Sequence, residues 1–256
     1  ATLSIGRVQT PTLAMIVQRQ KEINAFTSAE YWELKTNYRE TEFLCQIDRL
    51  NNEEKATKGL EYLKQYEFEV TSFEQKEGKE GNPRLFDLTS LQREANSKFG
   101  FSAKSTLAIA QSLYERHKAL TYPRTDSRAL PEDYLDVAKQ TFAMLAGSGM
   151  QHLAPHAALA IKNGYIKPSK RIFDNAKVSD HFAIIPTLQE PASLSEQEQK
   201  IYDLVVKRFM AVFYPSAQFQ VTTRISQVQE HQFKSEGKVL VNPGWMAIYG
   251  KEAFEE

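Results

Sequence analysis

The feature that most limits what this chain can become is a hydrophobic period that changes twice. Apolar and polar residues alternate through 31–38 and again through 43–47, with a polar turn at 39–42 between them. Alternation with a period of two puts one face of a segment into a core and the other into water, the pattern of antiparallel strands. Phe68, Val70 and Phe73 continue it. The period then lengthens to that of helices until Tyr214-Pro215, and alternation returns at 219–225 and around Val239 and Trp245 to Tyr249. These patterns predict an α+β fold. A strand-rich antiparallel part is interrupted by a helical insert, and the strands on either side of the insert belong to one sheet.

Local signals place the helices. Thr10-Pro11 reads as an N-cap followed by proline at the first helical position, with Leu13, Ile16, Val17 and Ile23 at helical spacing to about Asn24. A short helix is expected over 53–65, and the glycine-rich, charged stretch 76–84 reads as a linker and domain boundary. Thr89 or Ser90 should start a helix that carries Leu91 and Ala95 and stops at Gly100. Ser102 should cap the next, with Leu107, Ala110, Leu113 and Tyr114 along one face. The pair, followed by a short strand at 119–122, resembles a helix-turn-helix. Pro131 should open a helix reaching Ala146, and Ser195 with Glu198 forms a capping box for a helix through Phe209.

Charge and cysteine content narrow the class. The 256 residues carry 32 Lys and Arg against 32 Asp and Glu, so overall charge gives no support to nucleic-acid binding. Local charge does: between Arg93 and Arg128 there are seven basic residues and three acidic ones. The single cysteine, Cys45, excludes an internal disulfide and fits a buried thiol in a cytoplasmic protein. No apolar run approaches the roughly 20 residues of a membrane-spanning helix. The chain opens without methionine and reads as a piece of something longer.

Chemistry is densest in Leu120-Thr121-Tyr122-Pro123-Arg124-Thr125-Asp126-Ser127-Arg128. A residue before proline is pushed into extended conformation, and in extended backbone residues two apart share a face. Tyr122 and Arg124 should therefore point the same way. A phenol ionises near pH 10 and needs assistance to act as a nucleophile. A guanidinium beside it could stabilise a forming phenolate or grip the phosphate under attack. The competing reading is a tyrosine-proline turn that merely packs. Asp180-His181 ahead of an apolar run is a candidate acid, base or phosphate ligand. Ser4-Ile5-Gly6-Arg7-Val8-Gln9, just before a helix N-terminus, suits a phosphate backbone or an ordinary helix entry. His152 and His156 have metal-pair spacing, but Pro155 lies between them and no third ligand is evident, so no metal site is expected there.

Taken together, residues 4–11, 120–128 and 180–187 resemble three motifs of the type IA DNA topoisomerases, and Tyr-Pro-Arg-Thr-Asp-Ser with His-Phe-Ala-Ile-Ile-Pro-Thr is most similar to topoisomerase III. The resemblance runs along the whole chain. It implies single-strand cleavage through a 5′-phosphotyrosyl link, strand passage and religation without ATP. It makes Tyr122 the nucleophile, with Arg124 and His181 at the scissile phosphate. It makes Ser4, Ile5, Gly6, Arg7, Val8, Gln9, Thr10 and Arg128 contacts to single-stranded DNA. In family terms 1–28 is the remnant of a helical base domain, 29–84 and 216–256 are the strand-rich arch, and 85–215 is the tyrosine-bearing helical domain. Mg²⁺ is implied as the family's cofactor, held by an acidic Toprim domain that precedes Ser4 and is not among these residues. The chain alone is therefore expected to bind DNA but not cleave it. A monomeric, cytoplasmic, nucleoid-associated protein without a membrane partner is implied as well. Two other classes stay open: a non-enzymatic helix-turn-helix protein that prefers duplex, and a tyrosine recombinase, which needs a larger arginine and histidine constellation.

Overall fold

The computed structural model describes residues 5–250. The chain folds as two compact units, 1–75 with 222–237, and 76–221 with 238–256. Five strands form a sheet in the order β1-β2-β5-β4-β3: β1 Lys35–Tyr38, β2 Thr41–Cys45, β3 Glu69–Glu80, β4 Ala217–Val228 and β5 His231–Asn242. The long strands β3 and β4 are neighbours and flank residues 81–216 in sequence. This is the expected single sheet with a helical insert.

The first unit holds α1 Gln9–Ala25, β1, β2, α2 Glu53–Leu63 and part of each long strand. Lys35 pairs with Leu44 and Tyr38 with Thr41, so Arg39 and Glu40 alone make the turn, both at positive φ. Cys45 pairs with Phe233 of β5. Phe43, Cys45, Leu63, Val228 and Phe233 form the core, so Cys45 is the buried thiol expected. Asn52 caps α2 by accepting the Lys55 amide. In α1 the expected cap moves: Val8, not Thr10, occupies the cap position, and Thr10 and Pro11 fall inside the first turn. None of its residues is buried, and Leu13 and Ile16 are 60% and 61% exposed. Side-chain pairs along the helix, Arg19 with Glu22 at 2.7 Å and Gln20 with Asn24 at 2.8 Å, support it locally.

The second unit is mainly helical: α3 Leu88–Phe99, α4 Ala103–Glu115, α5 Leu135–Ala146, α6 Ala154–Lys162 and α7 Glu196–Ala211. The α3–α4 pair turns at Gly100 (φ 69°), and Ser102 caps α4, as read from sequence. The start of α3 is earlier than expected. Asp87 caps it in a reciprocal box with Ser90, because a carboxylate at that position accepts the Ser90 amide. Ser195 and Glu198 form the expected box on α7. The rings of Phe142, Phe209 and Phe213, with centroids 5.2–5.4 Å apart, tie α5 to the end of α7.

Two segments differ from their local patterns. Residues 76–80 continue β3 instead of forming a linker, since strand pairing satisfies their backbone whatever their charged side chains prefer. Gly244–Ile248 is a 3₁₀ turn rather than a strand, with Met246 buried beside Ala217 and Phe219.

Candidate active site

The backbone bends at Pro123, and burial alternates along the segment after Leu120. Pro123, Thr125, Ser127 and Ala129 are buried, while Arg124, Asp126 and Arg128 are exposed. Tyr122 shares their parity and is half-buried. The sequence could not say what braces this segment. The Thr121 amide donates to the Ile185 carbonyl at 3.0 Å, and the Thr121 hydroxyl donates to the Ala183 carbonyl at 2.9 Å. On the far side the Leu88 amide, in the first turn of α3, donates to the Thr125 carbonyl at 3.0 Å. Leu120 forms a bridge with Pro186, so the expected short strand at 119–122 is reduced to one bridged residue.

These bonds bring the histidine to the tyrosine. The Thr125 hydroxyl donates to the His181 carbonyl at 3.2 Å, and the His181 ring stacks on Tyr122 with centroids 4.3 Å apart and a 44° tilt. On its other flank Tyr122 meets Tyr114 of α4 edge-on, centroids 5.4 Å apart at 75°. One turn earlier on the same helix face, the Gln111 amide oxygen accepts from Arg124 Nη2 at 3.3 Å. Arg124 is exposed and makes no ion pair among the described residues, so its charge is free for an anionic ligand. Lys118 Nζ lies 5.8 Å over the Tyr114 ring, which places a second cation on this helix end.

Gln111 and Tyr114 carry no motif of their own. The i, i+3 spacing on α4 marks them as neighbours, but only the tertiary structure shows that this face meets Tyr122. Arg128, expected to touch DNA, is paired with Asp87 (Nε–Oδ2 3.1 Å). Burial pushes the Asp87 carboxyl up, but the Ser90 hydroxyl and amide and the Arg128 guanidinium outweigh it and hold it below its ordinary range. Of the other basic residues in 93–128, Arg116 binds the buried Glu198 at 2.7 Å, so part of the local excess is neutralised internally.

The expected DNA contacts at 5–10 lie in the first unit. Ser4 is outside the described residues. Ile5, Gly6, Arg7, Val8, Gln9 and Thr10 run from irregular backbone into the start of α1 and are half-buried to exposed. The Gly6 amide donates to the Thr10 hydroxyl at 3.3 Å. His152 hydrogen-bonds Asp203, and His156 is half-buried; no group of three or more His, Cys, Asp and Glu side chains among the described residues is placed to hold a metal ion.

A family model described as DNA topoisomerase matches residues 1–256. The chain is 40% identical over 263 residues to DNA topoisomerase 3 of Bacillus cereus, with 100% of this chain and 35% of that protein covered. It is 41% identical over 257 residues to DNA topoisomerase 3 of Bacillus subtilis, covering 97% and 35%. The chain thus spans about a third of the length of these relatives. The structure of full-length topoisomerase I from Thermotoga maritima superposes with a TM-score of 0.70 at 23% identity, covering 98% of this chain and 41% of that one, a likeness of fold.

Proposed function

Since the chain belongs to the type IA DNA topoisomerase family, on its topoisomerase III-like side, we propose that it carries the module that cuts and rejoins single-stranded DNA, with Tyr122 as nucleophile. The observation that carries this reading is the stacking of His181 on Tyr122 beside an Arg124 with no ion pair among the described residues.

In the proposed step the Tyr122 oxygen attacks a backbone phosphorus. The phenol gives up its proton as the Tyr–O–P bond forms, the bond from phosphorus to the 3′ oxygen breaks, and the departing 3′ oxygen takes up a proton. The phosphodiester's bond energy is kept in the 5′-phosphotyrosyl ester, so attack by the same 3′-hydroxyl reverses the step without ATP. Arg124 offsets charge gathering on the non-bridging oxygens, and Gln111 limits where that guanidinium can go. His181, fixed through its carbonyl, offers a ring nitrogen to the same phosphate. Among the described residues no set of three His, Cys, Asp or Glu side chains is placed to hold the family's Mg²⁺. We propose that these 256 residues alone bind single strands without cleaving them.

The same reading assigns 1–28 to a base domain, 29–84 and 216–256 to an arch, and 85–215 to the tyrosine-bearing domain. Ser4 through Thr10, with Arg128, would line the path of the single strand. The substrate locates the protein at the nucleoid in the cytoplasm, acting as a monomer. Among the described residues no helix is long and apolar enough to cross a membrane. A helix-turn-helix repressor, the rival class, gives the Tyr122 and His181 contact no task.

Covalent trapping tests the proposal. A topoisomerase of the relatives' length that carries this sequence is mixed with Mg²⁺ and single-stranded oligonucleotide labelled 3′ of the cut, then quenched in denaturant. A labelled protein band that disappears in Tyr122→Phe is the expected result. Absence of the band with single-strand binding intact would remove Tyr122 from the chemistry.

A further inference from the structure

Four cations from three separate segments converge on a pocket of about 290 Å³ in the second unit: Arg84, Arg128, Arg171 and Lys177, with Asp126 and Ser127 also lining it. In a chain with as many acids as bases, four cations facing one lining carboxylate is a local excess that folding has assembled. Two of the four are braced by carboxylates, Arg128 by Asp87 and Lys177 by Asp174 at 2.5 Å. The other two have no acidic partner among the described residues. Arg171 donates only to a neutral acceptor outside its own segment, the Asn82 carbonyl, and the Arg84 guanidinium has no partner there at all. Asp126 accepts from the Ser179 hydroxyl at 3.3 Å.

The pocket is continuous with the Tyr122 segment. Arg124, Asp126 and Arg128 alternate on its exposed face. At a reach of at most roughly 3.3 Å per residue, Asp126 lies no more than about 13 Å from Tyr122. A DNA strand that places one phosphate at Tyr122 and follows this face reaches the pocket within a few backbone units.

We propose that this pocket is a second phosphodiester site for single-stranded DNA, in which Arg84 and Arg171 grip a backbone phosphate away from the one attacked and Arg128 and Lys177 set the positive field around it. The inference rests on the reading of the Tyr122 segment as the strand-cleaving one. Guanidinium groups match the phosphate's paired oxygens, and backbone contacts of this kind fix register without reading bases.

The test is fluorescence anisotropy of labelled oligothymidylate bound to the 256-residue chain, as a function of salt. Each single-strand phosphate that is no longer neutralised lowers the slope of log K against log salt by about 0.7. Because both arginines hold one phosphate, Arg84→Gln with Arg171→Gln should lower it by about 0.7 and weaken binding roughly fivefold near 0.1 M salt. Arg84→Lys with Arg171→Lys keeps both charges and should keep the slope, as should Lys162→Gln on α6. An unchanged slope in a double glutamine variant whose circular dichroism melt matches the parent overturns the proposal. Weakening seen only with duplex of the same length overturns it too. Failure of the Tyr122 reading is separable: it abolishes the covalent adduct in the trapping experiment while leaving this slope effect in place.

Discussion

The ring of His181 lies 4.3 Å from that of Tyr122, tilted by 44°, and the His181 carbonyl accepts from Thr125, three residues beyond the tyrosine. Ring contact and backbone bond fix two distant parts of the sequence to each other at two points. The backbone bond keeps the stretch that carries His181 beside the segment that carries Arg124. The geometry around the phenol therefore behaves as one assembly.

That assembly separates two roles for the histidine. His181→Phe keeps an aromatic ring against Tyr122 but removes both ring nitrogens, whereas His181→Asn keeps a polar group and loses the stack. If the nitrogen serves the phosphate, His181→Phe should lower the cleavage rate by about 10²-fold or more, with single-strand affinity nearly unchanged. A His181→Phe enzyme that cleaves at the parent's rate would reduce the residue to a packing role.

If Arg124 offsets charge that grows during the reaction, as proposed, Arg124→Ala should cost about 2–4 kcal/mol in the cleavage step and much less in binding. Gln111→Leu removes only the bond that positions it and should cost about 0.5–1.5 kcal/mol in the same step. Single-turnover cleavage beside equilibrium binding for both variants measures the split. Equal effects in the two assays for Arg124→Ala would make it a binding contact only.

Glu198 should make the second unit acid-sensitive. Its carboxylate is buried at 6% exposure and accepts from Ser112 at 2.7 Å, from Arg116 at 2.7 Å and from the Ser195 amide at 2.9 Å. Burial pushes the carboxyl up, but the hydroxyl of Ser112, the amide and hydroxyl of Ser195 and the charge of Arg116 outweigh it, bringing it from 4.5 to about 2. With the folded value below the unfolded one, the stabilisation is complete above about pH 4.5 and is lost as pH falls towards about 2. It is on the order of 2–3 kcal/mol, since one unit corresponds to about 1.4 kcal/mol and Arg116 is largely exposed. Urea titrations across that window should show the loss in the parent and a much smaller one in Glu198→Gln.

Gly244 sits at φ 50°, and a β-carbon there would lie 2.5 Å from the carbonyl oxygens of Pro215 and Ser216. Both atoms are backbone, so neither can swing aside. Gly244→Ala should destabilise the second unit by about 2–4 kcal/mol through combined strain and displacement. A thermal melt within about 1 °C of the parent would show that the turn relaxes freely, against the usual shift of a few degrees per kcal/mol.

What was legible in the sequence is what acts over a few residues. The residues around Pro123 suggested that Tyr122 and Arg124 share a parity, and burial alternates that way although the backbone bends at Pro123. Ser102, Gly100 and the Ser195 and Glu198 pair marked helix ends, and the change of period located the insert between strands of one sheet. The same short-range reasoning misplaced the start of α3, because Asp87 and Ser90 form a reciprocal capping box that puts Thr89 and Ser90 inside the first turn. It read 76–80 as linker, where pairing within the sheet decided for strand. Tyr114 was legible only as one position on a face of α4, and nothing local singled out Gln111 or the Arg84 and Arg171 pocket. Their roles depend on which helix face meets which strand, and burial of apolar surface across the whole unit makes that choice. Backbone torsion and capping are properties of neighbouring residues and so are written in the chain; the company that Tyr122 keeps is a property of the packed core, and only the tertiary structure decided it.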